Sequence, residues 1–390
     1  MDMEHVGRTD LVDRIAPRAE GGRLYYDLRN RAGKRWLIRD ASVRTAFGLY
    51  QPTAITGRAI KLAFPVIRHV PGLCGVLGVT KSNRVLMPEL RSLFDGLFDD
   101  LPGGEVECSI FGGTPGPHRK VVMQLYRGRE VLAYCKITDN PAVAELFDAE
   151  AGNLRHLHDR GVSRIPRVLA CGEVHGLSVF CQSNVSDVKR TTVTLTDRHC
   201  AFLTDLRCRT AIRMPFEDTD YHATLLRLRS DAERVDDGRL RDAVLDAIDL
   251  VNGWYGGRTV NFGFYHGDFT PWNIADTGEH IAVFDFEYAK RTYPPYLDAC
   301  HFLMQTWFFV YGRRDADRDP ARLVDDYLHD AGMAMLLPDD DARRRTLILY
   351  LLSVIGLYLS RGDEDEAERA LLECRIEVLR KAVERYAHQR

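Results

Sequence analysis

No CxxC pair occurs among the nine cysteines, no HExxH or paired metal spacing among the 13 histidines, and neither sign of charge is in marked excess. Each absence removes a class of protein. An odd cysteine count, with Cys135 inside VLAYCKI and Cys181 inside VFCQ, reads as small reduced core residues of a cytosolic protein, not as bridges or zinc ligands. A zinc hydrolase has no ligand pattern to stand on. A formal charge of −3 over 390 residues gives no field that would gather nucleic acid. Arg and Asp interleave in runs such as RLRSDAERVDDGRLRD (227–242), which read as solvated helix faces.

Long apolar runs are also missing. TLILYLLSVIGLYL (346–359) is 14 residues long, short of the roughly 20 a span requires, and reads as a buried helix. IKLAFPVIRHVPGLCGVLGV (60–79) has the length but carries Lys61, Arg68 and two prolines, so it reads as an amphipathic segment packed on its own protein. Peripheral contact with a membrane through 60–79 stays open as an alternative. The charged start MDMEHVGRTDLVDR lacks the apolar centre of a signal peptide, and the expected location is cytoplasmic.

What is present is an ordinary globular composition, 45% hydrophobic and 28% charged, in a chain long enough for two lobes. Residues 1–104 read as an N-terminal extension: a hairpin in RLYYDLRNRAGKRWLIRD turning at Ala32 and Gly33, the amphipathic stretch, and a helix in MPELRSLFDGLFDDL ended by Pro102, Gly103 and Gly104. Residues 105–184 read as a β-rich lobe, with strands in VECSIFGG, RKVVMQLY, VLAYCKIT, RVLACGEVHG and LSVFCQSN and one helix in AVAELFDAEAGNLRHLHDRG. Residues 185–390 read as a larger helical lobe interrupted by one β-hairpin.

That hairpin lies in FYHGDFTPWNIADTGEHIAVFDFEYAK (264–290), where polar groups crowd among Phe, Trp, Ile and Val. Buried polar groups must be satisfied or do chemistry. Asp268 precedes Asn273 by five positions, the interval of the HRDxxxxN loop of protein kinases. Asp285 follows Asn273 by twelve, and the turn chemistry of DTGEH allows NIA and IAVFD to pair around Gly278. Such pairing brings Asn273 and Asp285 to one open end, where an amide and a carboxylate oxygen suit Mg²⁺. Upstream, VLAYCKIT offers Lys136 and FDAEAGNLRHL offers Glu150, in the order strand then helix. Alternation puts Lys136 on the face of Leu132 and Tyr134, opposite Val131, Ala133, Cys135 and Ile137.

HGDFTPWN followed by DFEYA resembles the catalytic motifs of the aminoglycoside phosphotransferase and choline kinase family. The resemblance implies an α+β, two-lobed protein kinase-like fold and an ATP- (or GTP-) and Mg²⁺-dependent phosphotransferase. It implies Asp268 as base or orienter for an acceptor hydroxyl, Asn273 and Asp285 as Mg²⁺ ligands with Glu287 as helper, and His266 as a brace of the loop. Asp298 in PPYLDACHF is implied to be structural. Lys136 held by Glu150 would reach the nucleotide phosphates, and FGGTPGPHRK, with Gly112, Gly113 and Gly116, reads equally as phosphate cover or plain hairpin turn. Gln182, Ser183 and Asn184 would form the hinge against which the base pairs. DFE stands where protein kinases have DFG, and Tyr134 where they have a small residue under the adenine. Only 13 positions separate Asp285 from Asp298, too few for a peptide-binding activation segment, so a small alcohol acceptor is expected: a sugar or lipid-linked glycan, an amino alcohol or an aminoglycoside-like molecule. Two rivals remain, a pseudokinase serving as a nucleotide-binding partner module and a helical scaffold.

Overall fold

In the computed structural model the described residues are all but 1–9, 31, 42, 51–54, 71, 73, 75–78, 103, 117–118, 186–190, 312–318, 362–365 and 388–390. Part of the 60–79 stretch, Pro117 and His118 of the glycine-rich link, and the side chain of Tyr311 lie outside them. The chain divides into two compact units, residues 1–155 with 166–187, and residues 156–165 with 188–390.

The first unit is built on one eight-stranded sheet: β1 (Arg18–Arg29), β2 (Arg35–Arg39), β3 (Thr80–Arg84), β4 (Glu107–Phe111), β5 (Val121–Arg127), β6 (Glu130–Thr138), β7 (Val168–Val174) and β8 (Leu177–Ser183). Their spatial order is β3-β1-β2-β4-β5-β6-β8-β7, with every neighbouring pair antiparallel. The hairpin turning near Gly33 forms as its sequence suggests. Its strand β2 then pairs with β4 through Trp36 opposite Phe111 and Leu37 opposite Ile110. Residues from the first 104 thus supply three strands to the same sheet.

Period-two alternation decides which face of that sheet is core. Ala133, Cys135 and Ile137 of β6 and Leu177, Val179 and Cys181 of β8 are buried together with Leu125, Met123 and Ile110. Cross-strand partners share a face, so Lys136 opposite Phe180 and Tyr134 opposite Gln182 stand on the other side. On the extension's side, Asp27, Arg35 and Arg84 are buried, and each charge has a partner: Arg35 meets Asp27 at 2.6 Å and Asp13 at 2.8 Å, and Arg84 meets Asp13 at 2.7 Å. Burial opposes ionisation of Asp13, but hydrogen bonds from Arg35 and Arg84 outweigh it and pull its carboxyl down to about 2. The helix Ile55–Ile67 buries Phe64 inward and leaves Ala59, Leu62, Ala63 and Val66 exposed along its other side.

The second unit is mainly helical, with the long helices Gly238–Tyr255, Asp340–Arg361 and Glu366–Ala387. The apolar run 346–359 is a buried helix segment, as expected from its length. No helix among the described residues is long and apolar enough to cross a membrane. The expected hairpin is β11 (Ile274–Asp276) with β12 (Ile281–Val283), turning through Gly278. The structure adds a three-stranded sheet within the lobe expected to be helical apart from one hairpin: β9 (Ile212–Pro215), β10 (Thr259–Tyr265) and β13 (Lys290–Tyr293), in the order β13-β10-β9. Two of these strands are four residues long and find partners 25 to 50 positions away, so their state is set by tertiary pairing.

Candidate active site

Glu150 lies on the helix Pro141–Asp159, on the stripe that buries Val143, Phe147, Ala151 and Leu154. A carboxylate there needs a partner, and it has one. Lys136 Nζ donates to Glu150 Oε2 at 2.6 Å, with Lys136 5% exposed and Glu150 fully buried. Phe180, opposite Lys136 in the ladder, also lies 5.7 Å below the ammonium by its ring centroid. The pairing inferred from strand-then-helix order is therefore a direct ion pair in the first unit.

Other expected nucleotide residues belong to the same unit. Gln182 is buried, and its Oε1 has no hydrogen-bond partner among the described residues. The Ser183 N–H donates to Arg167 O and its Oγ accepts the Arg167 N–H, while the Asn184 N–H donates to Leu132 O. In the glycine-rich link, the Gly112 N–H donates to Arg35 O at 2.8 Å, so it is committed to the extension. Gly113 has φ +79 and backs onto Lys120, whose carbonyl oxygen would stand 2.2 Å from any Cβ. Both are buried and owe their glycine identity to close packing; Gly116 is exposed.

In the second unit the segment between β10 and β11 is held from three sides. His266 is fully buried: its Nδ1 accepts the Asp268 N–H at 3.1 Å and its Nε2 donates to Phe284 O at 3.1 Å. Burial keeps the ring neutral by pushing its pKa down to about 4. The ring thereby ties the loop to the residue preceding Asp285. Asp298, at the start of the helix Leu297–Gln305, accepts the N–H groups of His266 and Gly267 at 2.9 and 3.1 Å. Burial raises its carboxyl to about 7 against these two bonds. Gly267 has φ +85, and Tyr288 O lies 2.5 Å from where a Cβ would be, so only glycine passes here.

Asp268 itself is held at both oxygens. Asn273 Nδ2 donates to Oδ2 at 2.7 Å and to the Asp268 carbonyl at 3.0 Å, and His301 Nε2 lies 3.2 Å from Oδ1. The side chain is nonetheless 30% exposed. The ladder joins Ile274 to Val283, and the Phe284 N–H donates to Asn273 O, so Asp285 follows directly on the residue paired with Asn273. Asp285 adopts φ +73, and one of its carboxylate oxygens lies within 4.8 Å of one from Glu287. An amide oxygen and two carboxylates on adjoining backbone make a hard-oxygen donor set that fits a small divalent cation.

Two neighbours flank the loop. Trp272 is 45% exposed and meets the equally exposed Phe309 edge to face at 6.2 Å, while Phe308 is buried. Asp276 does supply the turn, accepting the Gly278 N–H, and it also takes a bidentate bond from Arg198. Sequence reasoning passed over His301. Its signal was Asp298 and His301 three positions apart at a helix start, the spacing that puts two side chains on one face.

The sequence model of the phosphotransferase enzyme family (APH) matches residues 119–346, more than half of the chain. The chain belongs to this family. The match begins after β4, so the extension strands lie outside it. Solved structures similar to this phosphotransferase include a choline/ethanolamine kinase family protein from Mesorhizobium loti, at 16% identity over 77% of this chain and 98% of that one, with a TM-score of 0.49. A choline kinase from Cryptosporidium parvum Iowa II is 12% identical over 86% and 97%, and a putative fructosamine-3-kinase from Haemophilus somnus 129PT is 12% identical over 75% and 96%, each with a TM-score of 0.47. No curated protein matches the chain. An antiparallel-sheet unit and a helical unit carrying the matched motifs constitute the α+β, protein kinase-like fold of this family.

Proposed function

We propose that this phosphotransferase moves the γ-phosphoryl group of ATP, or GTP, to a hydroxyl of a small molecule in a Mg²⁺-dependent reaction. The observation that carries the reading is the Asp268 carboxylate, fixed at one oxygen by Asn273 and at the other by His301 yet still 30% exposed. A carboxylate so held can align an incoming hydroxyl and receive its proton. Catalysis of this transfer rests mainly on positioning and charge stabilisation.

In this reading Lys136, oriented by Glu150, neutralises phosphate charge, and the buried acceptor Gln182 Oε1 suits an amino-bearing group of the nucleotide. Backbone from Gly113 to Gly116 would cover the phosphates, with Gly112 excluded as a donor because its N–H is taken by Arg35. Asn273, Asp285 and Glu287 would hold Mg²⁺, which supplies neutralisation of the charge on the transferring phosphoryl group. His266 and Asp298 keep the loop in place. The acceptor is proposed to be a sugar, glycan-type, amino-alcohol or aminoglycoside-like molecule, since the sequence leaves no segment on which to lay a peptide.

Thermal shift with ATP plus Mg²⁺, followed by ATP consumption against a panel of such alcohols, tests this. Stabilisation by nucleotide and acceptor-dependent consumption are expected. Stabilisation with no turnover on any alcohol would favour the pseudokinase, and no stabilisation would favour the scaffold.

A further inference from the structure

Asp298 and His301 sit one turn apart on the helix Leu297–Gln305, and between them they engage three successive residues of the loop. Asp298 takes the backbone of His266 and Gly267; His301 takes the side chain of Asp268. His301 is 2% exposed, and its second nitrogen, Nδ1, lies 3.3 Å from the hydroxyl of Tyr350, whose fully buried ring meets the imidazole at 5.8 Å. Tyr350 comes from the helix Asp340–Arg361, so the row Asp268–His301–Tyr350 joins elements distant in sequence.

We propose that His301 and Tyr350 are positioning residues for the reaction: Tyr350 donates its hydroxyl proton to His301 Nδ1, which fixes the imidazole as the Nε2–H tautomer, and Nε2–H fixes the Asp268 carboxylate. The inference rests on the reading of Asp268 as the group that meets the acceptor hydroxyl. A carboxylate can only accept, so the hydrogen shared by Asp268 and His301 sits on Nε2. A neutral ring with that proton has Nδ1 as acceptor, and the hydroxyl of Tyr350 is the donor facing it. Burial raises the Tyr350 pKa, with the nearby Arg375 charge opposing, and the hydroxyl stays protonated. Asn273 holds only Oδ2, which leaves the carboxylate free to swing about its Cβ–Cγ bond; a second donor at Oδ1 removes that freedom. Misplacement of a reacting group by about 1 Å can cost about 10²-fold in rate.

The test uses the full chain with ATP, Mg²⁺ and an acceptor found in the alcohol panel, comparing H301L, H301Q, Y350F and D268N. H301L is expected to lower kcat by about 10–10²-fold with the KM for ATP within about twofold of the parent. H301Q, whose amide nitrogen can stand in for Nε2, is expected to recover at least about tenfold of that loss. Y350F removes one oxygen without opening a cavity. It is expected to lower kcat by several-fold, and the ¹⁵N shifts of His301 should change from a single Nε2–H tautomer to a mixture. A parent protein in the Nδ1–H tautomer, H301L with kcat within twofold of the parent, or H301Q no better than H301L while both remain folded would overturn the proposal. If D268N keeps full activity, the reading of Asp268 fails instead, and the two failures are told apart.

Discussion

Two polar clusters, one in each unit, satisfy their buried groups in opposite ways. In the sheet unit a full positive charge meets a full negative one, Lys136 on Glu150, with both side chains out of water. In the helical unit the Asp268 carboxylate is met by an amide and an imidazole nitrogen, and the carboxylates of Asp285 and Glu287 stand close together. The first cluster is electrically closed. The second gathers oxygen acceptors, with two carboxylates a few ångströms apart. In the proposed reaction the first would pin a cation in one orientation, and the second would keep a set of oxygens in place for metal and acceptor.

Breaking one partner in each cluster should expose this contrast most strongly. Lys136→Ala takes its ion-pair partner from the fully buried Glu150 carboxylate, and the loss should be about 3–5 kcal/mol in urea unfolding. The double replacement K136M/E150M should restore most of that stability while leaving nucleotide binding lost. Asp268→Ala, by contrast, removes a side chain that is 30% exposed and should cost about 1 kcal/mol. Equal losses in the two single variants would undo the distinction.

A second, smaller effect separates groups by the sign of their pH dependence. Burial raises Asp298 to about 7 from the ordinary 3.8, so between these values the native state binds more protons than the unfolded chain. Its contribution makes stability fall as pH rises from about 4 to 7. His199, which burial holds at about 4 against the usual 6.5, acts the other way: the unfolded chain binds the extra proton, and stability rises with pH from about 4 to 6.5. Asp298→Asn removes the falling contribution, so the rise in unfolding free energy over pH 4–6.5 should become steeper than in the parent. A shallower rise would contradict the assignment. Smaller again are the glycines. Gly113→Ala and Gly267→Ala each force a positive φ on a Cβ that meets a carbonyl, costing about 1–3 kcal/mol, and Gly267→Ala should also lower turnover.

The sequence carried whatever is short in range or ordered along the chain. The Asp268–Asn273 bond spans five positions, the β11–β12 turn is local, and Lys136 and Glu150 follow the fixed order of strand then helix. His301 and Tyr350 were not readable because their partners lie 33 and 49 positions away and meet only through helix packing. The same holds for β9, β10 and β13, and for the Arg35, Arg84, Asp13 and Asp27 network, whose members look like ordinary surface charges until the strands assemble. Gly112 misled for a related reason: a glycine needed for close approach to Arg35 and Val12 looks the same in sequence as one needed for phosphate.

Single-turnover transfer from γ-labelled ATP to a responsive alcohol, run beside equilibrium binding of ADP and Mg²⁺ for the parent and Asp268→Asn, tests the central claim most directly. The account predicts that the variant binds ADP as the parent does and transfers the label about 10²–10⁴ times more slowly. Transfer at the parental rate with unchanged binding would contradict it.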